Sequence, residues 1–200
     1  DFCGTLLKIQ TYPAFTNFLL RELNPVRKIF FFVLIKARVL FRLKKGIELL
    51  ALRYLSIDAW QKLCLNFSDD LIKELSVSVF NDIKNEAHLE PILLSGALAD
   101  YIKPTLAKLN LDWQVKAVSM QIKGSRLTGF LSDDFIYGDK KRIVAEYLCD
   151  IEGVQISNCL AVGDSTFDIP LLESVNKAKI IDGADKILSE KAVLKGWDII

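Results

Sequence analysis

The sequence contains a single histidine and only four cysteines, and each scarcity removes a class of chemistry. Cys3, Cys64, Cys149 and Cys159 are widely spaced and form no Cys-x-x-Cys pair. A zinc or disulfide framework is therefore not expected, and a reducing cytoplasm suits the chain best. A lone histidine near an element boundary is far more often structural than catalytic, so His88 receives no role. Excess charge is lacking too: 26 basic against 25 acidic residues leave a formal charge of +1. That balance argues against a nucleic-acid partner, which calls for a basic surplus. No hydrophobic run reaches membrane-spanning length in the most apolar stretch, Val26 to Leu55. Its longest uncharged run, Ile29 to Ile35, has seven residues, where a span needs about 20. No secretory leader is recognisable, and the chain starts on an aspartate rather than methionine, so it reads as a fragment or trimmed product.

What is present is a well-supplied core. Apolar residues make up 51% of the 200 and charged residues 26%, which excludes global disorder. The length suits one large domain, or a core carrying a smaller inserted one. Phe15, Phe18, Leu19 and Leu23 recur at helical spacing before Asn24-Pro25 interrupts them. From Arg21 to Arg53 bases far outnumber acids, with Lys36, Arg38, Arg42, Lys44 and Lys45 set among apolar residues. Two readings stand for this segment. One is a packed helical bundle with snorkelling bases; the other is a basic, apolar face that lies on lipid or grips a lipid-like substrate. Helical patterning continues to about Ala87, with a helix starting at the Ser56 or Asp58 cap.

From Pro91 the pattern changes. "PILLSG", "VKAVSMQIKG", "RLTGFLS", "FIYG", "CLAVGDS" and "KIIDGA" read as strands and turns. "ALADYIKPTLAKLNL" and "KKRIVAEYLCDI" read as helices, the latter with Ile143, Val144, Tyr147, Leu148 and Ile151 on one face. Alternating strands and helices predict a parallel α/β sheet, in which ligands bind beyond the carboxyl ends of the strands. Ser95-Gly96 and Gly163-Asp164 follow such runs. Asp1 would follow a third strand lying before the first residue of this sequence.

"DFCGTL", "LLSGAL", "YGDKKRIV" and "VGDSTFDIPLLE" occur in that order. Together they resemble the four motifs of the haloacid dehalogenase-like hydrolases, specifically the phosphoserine-phosphatase-like branch. The resemblance implies a three-layer Rossmann-like α/β core (residues 1–9 and 88–200, its first strand outside this sequence) and an inserted α-helical cap over residues 10–87. It implies a Mg²⁺-dependent phosphatase of a small phosphomonoester acting through an aspartyl-phosphate. Asp1 would be the nucleophile. Ser95 and Gly96 would hold the phosphate and Lys141 would offset its charge. The Asp1 carboxylate, the Cys3 carbonyl, Asp164 and Asp168 would hold the metal.

These roles also make chemical sense. Phosphoryl transfer needs a nucleophile, a cation to offset phosphate charge and donors for the equatorial oxygens. Mg²⁺ suits a site of one or two carboxylates. Two lysines at a helix start are disfavoured by the helix dipole and invite an anionic partner. Spacing to "VGDS" favours Lys141 over Lys140.

The family's second loop aspartate, which protonates the leaving oxygen and then activates water, is replaced here by Cys3. A thiol ordinarily titrates at about 8.5 and an aspartic acid at about 3.9. Metal binding through the backbone carbonyl should survive this change, whereas base chemistry toward water should not. Cys3 is thus expected to slow breakdown of the aspartyl-phosphate more than its formation. Two other outcomes follow: a weakly active or non-catalytic phospholigand-binding relative, or a phosphotransferase. A lipid or lipid-linked phosphate substrate, with peripheral membrane contact through the basic apolar segment, fits better than phosphoserine, for which no acidic recognition residue is evident early in that segment.

Overall fold

The computed structural model describes residues 1–86 and 90–200; His88 lies outside them. A looped segment, residues 1–10, leads into α1 (Thr11–Glu22), α2 (Pro25–Phe41), a 3₁₀ turn (Ile47–Leu52), α3 (Ile57–Ile72) and α4 (Val77–Asn85). Then follow β1 (Ile92–Leu98), α5 (Ala99–Lys108), β2 (Gln114–Val118), β3 (Met120–Lys123), β4 (Arg126–Leu131), α6 (Asp139–Glu152), β5 (Leu160–Gly163), α7 (Ile169–Leu172), β6 (Lys177–Ile180), α8 (Lys186–Lys195) and β7 (Asp198–Ile199).

Local chemistry sets these boundaries. Asn24 caps α2 by accepting from the Arg27 amide at 3.0 Å, and Pro25 takes the first helical position, where its missing N–H costs nothing. Ser56 caps α3 through the Ala59 amide. Gly153, with φ of 66°, ends α6 in the left-handed conformation that favours glycine.

The fold is α/β, with parallel pairing in its principal strands. β1 pairs with β2 in parallel, Leu93 opposite Val115, and β5–β6–β7 form a second parallel set, with Val162 opposite Lys179 and Ile180 opposite Ile199. The Asp1 backbone nitrogen donates to the Val162 carbonyl of β5 at 3.1 Å, which places the first loop beside that strand. The stretch read as one strand, "VKAVSMQIKG", divides at Ser119. β2 joins β1, while β3 turns back on β4 in an antiparallel hairpin through Gly124. "FIYG" contributes no strand: residues 134–137 form an irregular segment leading into α6.

One hydrophobic cluster joins the helical region to β1 and α5. Phe15, Phe18, Leu19 and Leu23 are buried in it. The Phe15 ring lies 4.9 Å from both Phe67 of α3 and Tyr101 of α5. Asp100 ties three elements together, accepting from the Trp60 indole at 2.8 Å and the Met120 amide at 2.9 Å. Burial raises its carboxyl above the ordinary range against those hydrogen bonds.

α6 departs from the apolar face read in its sequence. Leu148 is buried, but Ile143, Tyr147 and Ile151 are exposed. The helix turns Lys141 inward, and Leu148, seven residues on, shares that side. Lys141 and Leu148 thus line the inward side of α6, and Ile143, Tyr147 and Ile151 its outer side. Cys149 and Cys159, distant from any Cys-x-x-Cys pattern, bring their sulfurs within 3.6 Å of each other.

Candidate active site

Three separate segments bring acidic groups together. Asp1 begins the first loop, Asp164 follows β5, and Asp168 ends the 3₁₀ turn Thr166–Asp168. One carboxylate oxygen from each lies within 4.8 Å of the others. Asp164 and Asp168 are buried and Asp1 is largely so.

Lys141, only 2% exposed, supplies the opposing charge. Its ammonium lies 2.9 Å from Asp1 Oδ2 and also donates to Asp168 Oδ1. Lys140 points elsewhere, to Asp133 at 3.1 Å on the surface. Burial works against the Asp168 carboxylate, yet Lys141 and the Ser165 amide together hold its carboxyl below the ordinary value. Asp164 behaves oppositely: burial first, then the adjacent Asp168 charge, pushes its carboxyl up. Three converging carboxylates thus face one ammonium. Their oxygen donors and unbalanced charge fit a hard divalent cation.

The loops are held in fine detail. Asp168 Oδ2 accepts from the Asp164 and Ser165 amides and the Ser165 hydroxyl, each at 3.1 Å. Thr5 donates to Asp164 Oδ1 at 3.0 Å and Gln10 to Oδ2 at 3.2 Å. Gly4, with φ of +71°, runs so close that a β-carbon there would stand 2.1 Å from Asp164 Oδ2. Asp1 Oδ1 accepts from the Phe2 amide at 2.6 Å.

Ser95 is fully buried, and its hydroxyl accepts from the Ala97 amide at 3.2 Å. β1 runs on to Leu98, which caps α5 without a side-chain bond, so Ser95 sits within the strand. Tyr137 covers the next residue: its hydroxyl donates to the Gly96 carbonyl at 3.1 Å, and a β-carbon on Gly96 would fall 1.9 Å from its ring.

The Cys3 sulfur lies 2.8 Å from Thr11 Oγ1, which lies 3.1 Å from the Tyr101 hydroxyl, and 4.0 Å from Ser95 Oγ. Its thiol therefore belongs to a short polar chain between α1 and α5, facing Ser95. Lys45 completes the rim. Its ammonium sits 4.4 Å from the centre of the Tyr12 ring, 5.0 Å from Phe135 and 4.9 Å from Tyr137, and bonds the Tyr137 hydroxyl. Partial burial lowers its pKa, and burial raises the Tyr137 phenol to about 12.

Gln10, Thr11 and Tyr137 are not singled out in the sequence, and Lys45 is read there only as one of the bases of the apolar segment. Tyr137 directly precedes the Gly-Asp-Lys-Lys motif, which is the one local signal for it; the others reach the site through tertiary contacts.

The family model for the haloacid dehalogenase-like hydrolases matches residues 1–173. The chain is 26% identical over 132 residues to an inhibition of morphological differentiation protein of Streptomyces azureus, covering 66% of this chain and 47% of that protein. It is 29% identical over 111 residues to phosphoserine phosphatase of Methanocaldococcus jannaschii, covering 56% and 51%. The chain therefore spans about half the length of these curated relatives. In fold it resembles a Bordetella pertussis protein of unknown function (TM-score 0.82, 19% identity, 100% of this chain and 95% of that one). It also resembles a phosphoserine phosphatase solved in apo form (TM-score 0.64, 22% identity, 99% and 88%).

Proposed function

The chain belongs to the haloacid dehalogenase-like hydrolase family, and on that premise we propose that it is a phosphatase that hydrolyses a small phosphomonoester through a phosphorylated Asp1. The observation that carries this reading is the Lys141 ammonium set between Asp1 and Asp168, with Asp164 converging on the same point. Asp1 would attack phosphorus, displacing the ester oxygen, and water would then release inorganic phosphate and restore the carboxylate. Lys141 offsets charge on the nucleophile and the transferring group. Ser95 and the Gly96 amide donate to phosphate oxygens. The Gln10 and Thr5 bonds keep Asp164 aimed inward. Asp1, Asp164 and the Cys3 carbonyl would hold Mg²⁺, with Asp168 in support; the ion would neutralise phosphate charge.

Cys3 supports a second reading. The side chain beside Ser95 is a thiol in hydrogen-bond contact with Thr11, where a carboxylate would serve as acid and base. Turnover then stalls at the phosphorylated aspartate, or the phosphate passes to an acceptor other than water, or the protein only binds its ligand. Phosphate release from a panel of sugar, amino-acid and lipid phosphates with Mg²⁺, with Asp1→Asn as control, tests both. Release that Asp1→Asn abolishes supports the phosphatase. Stable acid-precipitable label on the wild type supports the stalled form. Binding of a phosphate mimic without either supports the binding protein.

A further inference from the structure

The helix α2 wears its apolar side outward. Its inward face carries Phe31, which is fully buried, and Arg38, whose guanidinium pairs at 2.9 Å with the fully buried Glu48. Arg27 is likewise turned inward, donating to the Ala51 and Arg53 carbonyls. The opposite face presents Ile29, Phe30, Phe32, Val33, Leu40 and Phe41, with Ile29 68% and Leu40 75% exposed. Among these, one turn apart from Phe32, stands the exposed Lys36, its ammonium 5.3 Å from the centre of the Phe32 ring. Three exposed phenylalanines and aliphatic neighbours on one helix form a patch far beyond the scattered apolar residues of an ordinary surface.

Charge says what covers it. Between Glu22 and Glu48 the sequence holds seven bases and no acid. With Arg27 and Arg38 committed inward, Lys36 and Arg42 remain exposed on or beside the apolar face. A second copy of the same face would bring these like charges together. An anionic lipid surface accepts both the rings and the bases. The helix has 17 residues, about 25 Å at ~1.5 Å per residue, shorter than the ~30 Å hydrocarbon layer. No helix among the described residues is long and apolar enough to cross a membrane.

We propose that α2 is an in-plane membrane anchor: it lies along an anionic bilayer with its outward apolar face among the acyl chains and Lys36 and Arg42 at the phosphate level. Docking stands apart from the phosphatase reading, because none of these residues belongs to the acidic cluster. The two are nonetheless joined: the loop after α2 carries Lys44, paired with Asp134, and Lys45, bonded to Tyr137 above Gly96, so the anchor helix leads directly into the site's rim.

Flotation with vesicles of phosphatidylcholine, alone or mixed with phosphatidylglycerol, tests the proposal. The wild type should float with the mixed vesicles, much less with the neutral ones, and progressively less as salt is raised. Val33→Glu combined with Leu40→Glu, at two exposed positions, should lower partitioning about tenfold or more. Lys36→Gln should lower it roughly fivefold. Unchanged far-ultraviolet dichroism and melting would show that the variants remain folded. Equal flotation of wild type and double variant, or no flotation of the wild type, would overturn the proposal. So would a concentration-dependent dimer in sedimentation velocity that the double substitution abolishes, which would assign the face to a second copy.

Discussion

Replacing Cys3 by aspartate isolates the most unusual feature of this site. The side chain at position 3 is half-buried, 2.8 Å from the Thr11 hydroxyl and 4.0 Å from Ser95 Oγ. An aspartate there is close in size, can accept from Thr11, and stands on the Ser95 side, where a phosphate would bind. General acid–base catalysis contributes about 10²–10⁴-fold, or roughly 3–5 kcal/mol of barrier. A thiol gives up a proton adequately but is a poor base toward water. The gain from Cys3→Asp should therefore fall mainly on hydrolysis of the phosphorylated Asp1, by about two orders of magnitude or more. The same substitution adds a carboxylate to a site already holding Asp1, Asp164 and Asp168, so the protein's melting temperature without divalent cation should fall. Rapid quench with radiolabelled substrate separates the two steps: label on protein reports formation, and inorganic phosphate reports breakdown. If both steps already run at equal rates in the wild type, or Cys3→Asp leaves breakdown unchanged, the reasoning about the thiol is wrong.

Removing Lys141 leaves buried carboxylates without their counter-charge, so Lys141→Met should cost about 3–5 kcal/mol in denaturant unfolding with chelator present. Lys140→Met, which removes a surface pair, should cost under about 1 kcal/mol; similar losses from both would contradict the burial of Lys141. Gly96→Ala drives a methyl group into the Tyr137 ring, so activity should collapse. Pairing it with Tyr137→Ala should restore part of it, and a fully active single variant would refute the close approach. Burial raises the Asp100 carboxyl above its unfolded value, so the native state holds its proton to higher pH and this group's contribution to stability falls as pH rises from about 4 through the raised value. The difference in melting temperature between wild type and Asp100→Asn should therefore drift against the wild type over that window; a flat difference would count against the shift.

Much of this arrangement could be read from the chain before any coordinates. The resemblance of four motifs in order pointed to Asp1, Ser95, Lys141, Asp164 and Asp168, and of these Asp1, Lys141, Asp164 and Asp168 lie together in one cluster. What could not be read depends on rotation and tertiary contact. The apolar spacing of α6 placed Ile143, Val144, Tyr147, Leu148 and Ile151 on one face, but of these only Leu148 is buried, on the side that Lys141 shares. Likewise "VKAVSMQIKG" carries no signal for the break at Ser119, which arises because β2 completes a pair with β1 while β3 folds onto β4. Nor does the sequence show that Ser95 lies inside β1 rather than at its end, since the strand runs on to Leu98.

The loop following α2 meets the segment before α6 through two lysines of different character. Lys44 pairs with Asp134 in the open, where salt screens the attraction. Lys45 rests among Tyr12, Phe135 and Tyr137, where its partners are uncharged ring faces and a phenol oxygen, contacts that salt weakens less than an ion pair. The two should therefore behave as a latch with one salt-sensitive and one less salt-sensitive catch. Raising ionic strength should loosen the outer catch while the inner one stays shut, so the rim would breathe without letting go of Tyr137.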